Sequence, residues 1–204
     1  MGYGLTQTVA PSSRAVSLTD AKRHLRVDGN DDDLAIGTLI DAATGRLEEE
    51  TYRQLVSATW RMRLDEWPCD PDDGILLPRA PLQSVTSISY VDLNGVTQTV
   101  PTSVYVVAPD REPGEIRLKY GQVWPFARNE PNAITIDFIA GYGAASAVPG
   151  LLKSAILLMV GDWFENREDS ISGTISKIPT GAQRIIDLYQ LGDEFLAYGS
   201  GEDE

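Results

Sequence analysis

A chain of 204 residues with thirty Asp and Glu against seventeen Lys and Arg carries a formal charge of -13, so it repels a phosphate backbone and is not expected to grip DNA. Hydrophobic residues at 42% and charged residues at 23% lie in the globular range, enough for one sizeable domain or for a helical domain carrying a second lobe. Cys69 stands alone, which excludes an internal disulfide and a multi-cysteine metal cage. The longest strongly apolar run, Ala155 to Val160, is too short to cross a bilayer.

Residues 1–16 read as an N-terminal arm. They lack the basic start and apolar core of a secretion signal, so a cytoplasmic chain is expected. Ser17 suits an N-cap, with Asp20 three residues on as a weak capping box, and Leu18, Ala21 and Leu25 then mark one face of a helix of about ten residues. Asp28-Gly29-Asn30 breaks it, and Asp31 or Asp32 caps a second helix whose Ile36, Ile40, Ala43 and Leu47 recur at helical spacing. The two predict a helical hairpin. Glu48 to Glu50 meet the negative end of that helix's dipole and are expected to face solvent or a basic partner.

From Val56 the period changes to two, since Val56, Ala58, Trp60, Met62 and Leu64 alternate with polar residues, as in a half-buried strand. Pro68 to Asp73 is a loop. Strands follow at Ile75 to Leu77, Val85 to Val91, Val96 to Val100, Val104 to Val107, Ile116 to Tyr120 and Ile134 to Ile139, with Leu93-Asn94-Gly95 predicting a hairpin through the positive φ that Asn-Gly accepts. Turn signals between them favour an antiparallel sandwich or curled sheet over βαβ units. Pro149 then opens a helix whose stripe is Val148, Leu151, Leu152, Ala155, Ile156, Met159, Val160 and Trp163. Leu157 and Leu158 widen that stripe beyond what one face needs, so the helix is either central to its own domain or covered by a neighbouring subunit, with Leu157, Leu158 and Trp163 the candidates for subunit packing. Residues 168–177 read as a loop, Pro179 to Tyr189 as a short helix. The tail 190–204 mixes Leu191, Phe195, Leu196 and Tyr198 with acids and glycines, the composition of a segment that orders on a partner, the alternative being a tail that folds back on its own domain.

The predicted fold class is therefore α+β: a helical bundle from residues 17–54 and 148–189, an inserted antiparallel β-sandwich-like lobe over 55–147, and a C-terminal partner-binding tail.

Enzyme chemistry is not expected. His24, the sole histidine, sits in a Lys22-Arg23-His24 cluster suited to a solvated surface. Asp28, Asn30 and Asp32 begin like a calcium loop, but Asp33 stands where glycine is required and Leu39 where a carboxylate must close the shell. Asp65-Glu66 and the acids at 70, 72 and 73 show no apolar shielding, Gly141-Tyr142-Gly143 is followed by no Gly-Lys-Ser/Thr, and no cofactor or metal is expected. The four tryptophans would suit sugar stacking, yet Trp60 and Trp163 fall on apolar faces.

SLTDAKRHLRVDGNDDD at Ser17 to Asp33, ATWRMRLDEWP at Ala58 to Pro68, LPRAPLQSVTSISYVDLNG at Leu77 to Gly95, FIAGYG at Phe138 to Gly143 and ILLMVGDWFENRE at Ile156 to Glu168, taken in order, resemble the head–tail connector (adaptor) proteins of long-tailed bacteriophages and gene transfer agents. The resemblance spans about Val16 to Tyr189. It implies a structural virion neck protein, a dodecameric ring beneath the portal whose helices pack side by side. It implies too that the C-terminal segment docks on the portal protein, that a stopper or tail-completion protein follows, and that DNA passes without specific binding. The tail after Tyr189 departs from the family pattern, so Leu191, Phe195, Leu196 and Tyr198 are portal-binding candidates by composition and analogy. Simpler members are nearly all helical, so the β lobe matches a longer subgroup. The alternative, from another class, is a carbohydrate- or receptor-binding β module of a phage particle.

Overall fold

The computed structural model describes residues 2–70, 73–166 and 178–191. The order of elements is β1 (Gly4–Val9), α1 (Leu18–Leu25), α2 (Asp33–Thr51), β2 (Ala58–Leu64), β3 (Ile75–Leu77), β4 (Leu82–Val91), β5 (Thr97–Thr99), β6 (Tyr105–Ala108), β7 (Gly114–Leu118), β8 (Ile134–Ala140), α3 (Gly150–Glu165) and α4 (Thr180–Tyr189). The class is α+β, with antiparallel sheets throughout. The chain divides into a helical unit, residues 12–56 and 142–190, and a β unit built on residues 2–11 and 57–141 with Leu191.

In the helical unit Ser17 caps α1, its Oγ accepting from the Asp20 N–H at 3.1 Å and relieving one of the orphan donors of the first turn. Arg26, at φ 57, ends the helix by turning its N–H back to the last carbonyls. Lys22 then organises the turn into α2, its Nζ donating to the Gly29 carbonyl, to Asn30 Oδ1 at 3.0 Å and to Asp33 Oδ1 at 2.6 Å. An ammonium thus occupies the middle of the loop that only begins like a calcium site. Ile36, Ile40, Ala43 and Leu47 of α2 are buried as their spacing predicts, against Leu152, Ala155, Ile156, Met159 and Val160 of α3 and Ala182 and Ile186 of α4. Arg14 pins the incoming arm: its Nε and Nη2 both reach the Asp41 carboxylate at 2.6 Å, and its guanidinium lies over Gly37, 3.4 Å from where a Cβ would be. This fork holds Asp41 below the usual carboxylate range, the hydrogen bond from Arg14 being the largest cause.

The acids at the end of α2 do not simply face solvent. Glu48 folds over the last turn and accepts from Gln54 Nε2 at 2.7 Å and the Leu55 N–H at 2.9 Å, and Glu50 pairs with Arg46. Local partners outweigh the unfavourable dipole.

In the β unit one sheet has the order β1-β2-β8-β4-β5 and a second β3-β7-β6. Met62, Leu64, Ile88, Ile134, Ile136 and Phe138 from the first share a core with Ile75 and Ile116 from the second. The opposite face of the larger sheet carries the cross-strand pair Arg61 and Asp137, bonded at 2.7 and 3.0 Å. Gly114 begins β7 directly against Leu82, where a Cβ would collide with that side chain. Glu115, buried beside it, is held by Arg111 and Arg117, so the carboxylate is compensated. Strand β1 has no apolar alternation; pairing of Gly4 to Gln7 with Trp60 to Arg63 makes it a strand within the arm.

The predicted hairpin forms at 92–96, but only Gly95 takes positive φ, at 80°. Asp92 supplies what Asn94 was expected to give: its Oδ1 accepts from the Asn94 and Val96 N–H groups, both at 2.9 Å, and its Oδ2 from Gln98 Nε2 at 3.1 Å. These bonds, Val96 first, hold Asp92 below the usual carboxylate range. A folded pKa below the unfolded one gives stabilisation complete above the unfolded value and lost as pH falls through the folded one. The Val96 amide resonance is therefore expected to titrate with a midpoint below that of an ordinary aspartate, and Asp92→Asn to abolish that titration; an unchanged profile in the variant would refute the assignment.

Candidate assembly surfaces

Helix α3 is apolar around most of its circumference, and its own unit covers only part of it. Leu157 and Trp163 are half-buried against the helical core, with the Trp163 indole N–H enclosed and without a partner among the described residues. Leu158 stays 39% exposed and Leu151 50%. They are seven residues apart, two turns, hence on one face. Helix α4 runs past Leu158, whose Cδ1 lies 3.3 Å from where a Cβ of Gly181 would be; seven residues beyond, Leu188 is 70% exposed. Leu34 at the start of α2 is 86% exposed. Of the three residues read as subunit-packing candidates, only Leu158 is exposed. Leu151 and Leu188 join it, and the interval of seven from Leu151 to Leu158 was the signal for the former.

A second arrangement had no sequence signal. Arg53, just past α2, is 7% exposed. Its Nε donates to the Tyr189 carbonyl at 2.7 Å, its Nη1 to the Tyr142 hydroxyl at 3.0 Å, and its guanidinium sits 5.7 Å from the centre of the Tyr189 ring. The Tyr142 N–H in turn donates to the Leu55 carbonyl at 3.0 Å. Arg53 thereby satisfies the last carbonyl of α4 and sets the point where the chain leaves that helix. Arg53→Met should cost about 1–3 kcal/mol and accelerate hydrogen exchange at the Gln190 amide, which bonds the Ile186 carbonyl at 2.8 Å. Wild-type melting and exchange would contradict this. Leu191, the first tail anchor, is buried at 5% exposure; Phe195, Leu196 and Tyr198 lie outside the described residues.

The acids at 65 and 66 build no catalytic pair: Asp65 Oδ1 accepts from the Asn132 N–H at 2.7 Å, and both residues are exposed. His24 is exposed. Among the described residues no group of His, Cys, Asp and Glu has metal-binding geometry, and no helix is long and apolar enough to cross a membrane. Trp67 is stacked on Trp124 at 4.4 Å and 3°, and Trp60 lies under the Arg79 guanidinium at 5.0 Å.

Residues 15–104 match the family described as phage gp6-like head-tail connector protein. Among solved structures, the chain is similar to one in the neck of an empty gene transfer agent particle computed with C6 symmetry. That likeness has 27% identity and a TM-score of 0.76, covering 93% of this chain and 96% of that one. It is similar also to one in the neck of the native particle computed with C12 symmetry, at 27% identity and a TM-score of 0.75 over 93% and 96%. A third lies in the virion of the native particle, at 27% and 0.73 over 92% and 95%. No curated protein matches, and neither comparison leads to an enzyme. The resemblance to head–tail connectors read from the sequence is thus borne out twice, over residues 15–104 by the gp6-like connector family and over nearly the whole length by a chain of the gene transfer agent neck.

Proposed function

We propose that this chain is a structural component of a virion neck, an adaptor ring that joins the portal to the stopper or tail-completion protein and lets DNA pass through its channel without specific binding. The observation that carries the reading is the likeness to gene transfer agent necks over 93% of this chain. One of those necks was computed with C12 symmetry, which supports a dodecamer. The exposed leucines of α2, α3 and α4 supply apolar surface for side-by-side packing, and the charge of -13 keeps duplex from adhering to a channel wall.

In this reading the tail holds the ring on the portal through Phe195, Leu196 and Tyr198, with Leu191 as its buried root. Removing residues 192–204 should leave melting and ring formation intact and abolish capture by immobilised portal rings, followed by native mass spectrometry of the eluate. A truncated protein that still binds portal would remove the tail from that role. A full-length protein that stays monomeric with portal present would sink the ring itself.

A further inference from the structure

The β unit carries a second surface, unrelated to the leucines of the helices. Strand β2 ends at Leu64 beside Ile134 at the start of β8, and Tyr90 near the end of β4 pairs with the same residue. The loops 65–74, 92–96 and 119–133 therefore all leave one end of the sheet. On them Leu93 is 70% exposed, Val96 52%, Val123 75% and Phe126 86%, and Tyr120 is fully exposed. The longest of these loops has neither helix nor strand, and structureless loops of that length in compact domains are commonly functional.

It is nonetheless held firmly. Trp67 stacks on Trp124 and donates its Nε1–H to the Pro125 carbonyl at 2.8 Å; the Arg128 N–H donates to the Val91 carbonyl at 2.8 Å, and the Val91 N–H to the Ala133 carbonyl at 2.9 Å. The Arg128 guanidinium packs on Gly95, tying this loop to the hairpin tip. Apolar side chains aimed outward from an immobilised backbone are ready to bind at little ordering cost.

The charge around them selects the partner. Among the described residues the three loops hold six carboxylates, Asp65, Glu66, Asp70, Asp73, Asp92 and Glu130, against two cations. Both cations are engaged, Lys119 with the Thr102 carbonyl at 2.8 Å and Arg128 with Glu130 at 3.3 Å. The same acidic face of a second copy would be repelled, and so would DNA. We infer that this end of the β unit is a preformed docking surface for a different protein, one presenting an apolar pocket rimmed by Lys and Arg. Phe126 and Val123 fill the pocket, and Glu66 and Asp73 meet the rim. The inference rests on the reading of the chain as a neck component, which makes that partner the protein that joins the ring to the tail.

The test is complementation of particles lacking this gene. Val123→Asp/Phe126→Asp should melt like wild type, since both positions are exposed. It should give heads that carry the ring, with tails fewer by about tenfold or more in electron micrographs. Glu66→Lys/Asp73→Lys should also reduce tail joining, more strongly at low salt than at high salt. Tails at wild-type frequency on the apolar variant would overturn the docking surface, and so would loss of the ring itself, which would make the face a contact between subunits. Unaltered joining by the charge variant would overturn the basic partner. Failure of the wild-type protein to appear in the neck would instead overturn the underlying reading.

Discussion

Replacing Leu151 and Leu158 together by glutamate is expected to yield a folded monomer that no longer forms rings. In the isolated protomer the two side chains are 50% and 39% exposed, so new carboxylates there remain hydrated and each change should cost about 0.5 kcal/mol or less of folding stability. Leu158, which touches α4 at Gly181, will cost the more of the two. Between subunits the balance reverses, because an unpaired carboxylate enclosed at an interface costs several kcal/mol or must take up a proton. A closed ring repeats that penalty at every contact. Native mass spectrometry should show the loss of ring with a melt close to wild type. Rings at wild-type abundance would remove this face from the interface, and a collapsed melt would return Leu158 to the protomer's own core.

Phe138→Ala should be the most damaging single change to the β unit. Phe138 is fully enclosed on β8, with Trp60 and Val85 opposite it on the flanking strands. Truncating a buried phenylalanine loses its transfer free energy and leaves a cavity that central strands cannot close, about 3–5 kcal/mol in all. A domain has roughly 5–15 kcal/mol of net stability, so the midpoint of thermal unfolding should fall on the order of 10 °C. Phe138→Leu, which keeps most of the volume, should cost distinctly less. Equal losses for the two would mean that the site tolerates collapse and the packing account is wrong.

Much of the local structure was legible because the residues that specify it are neighbours in sequence. The spacing of Ile36, Ile40, Ala43 and Leu47 gave the buried face of α2, the alternation from Ala58 to Leu64 gave β2, and Ser17 gave the start of α1. The hairpin at 92–96 was placed correctly, but its chemistry was not: Asp92, by capturing three donors, lets Asn94 keep an ordinary φ. Strand β1 was missed because GLTQTV has no period of its own and is extended only by pairing with residues fifty or more positions away. The exposed state of Leu151 was missed as well, since periodicity identifies an apolar stripe without showing where cover ends.

Periodicity, caps and turn residues by themselves determined the α+β class, the positions of the helices and most strands, and the absence of a histidine or cysteine constellation for catalysis, since each follows from residue type and short spacing. The order of segments carried the likeness to connectors. Only the tertiary structure decided which part of the α3 stripe its own unit covers, that Arg53 reaches Tyr189 across 136 positions, and that Trp67 and Trp124 brace a loop bearing Val123 and Phe126. Those contacts depend on where distant segments meet when the cores close, and residue spacing encodes the face that must be buried, not the neighbour that buries it.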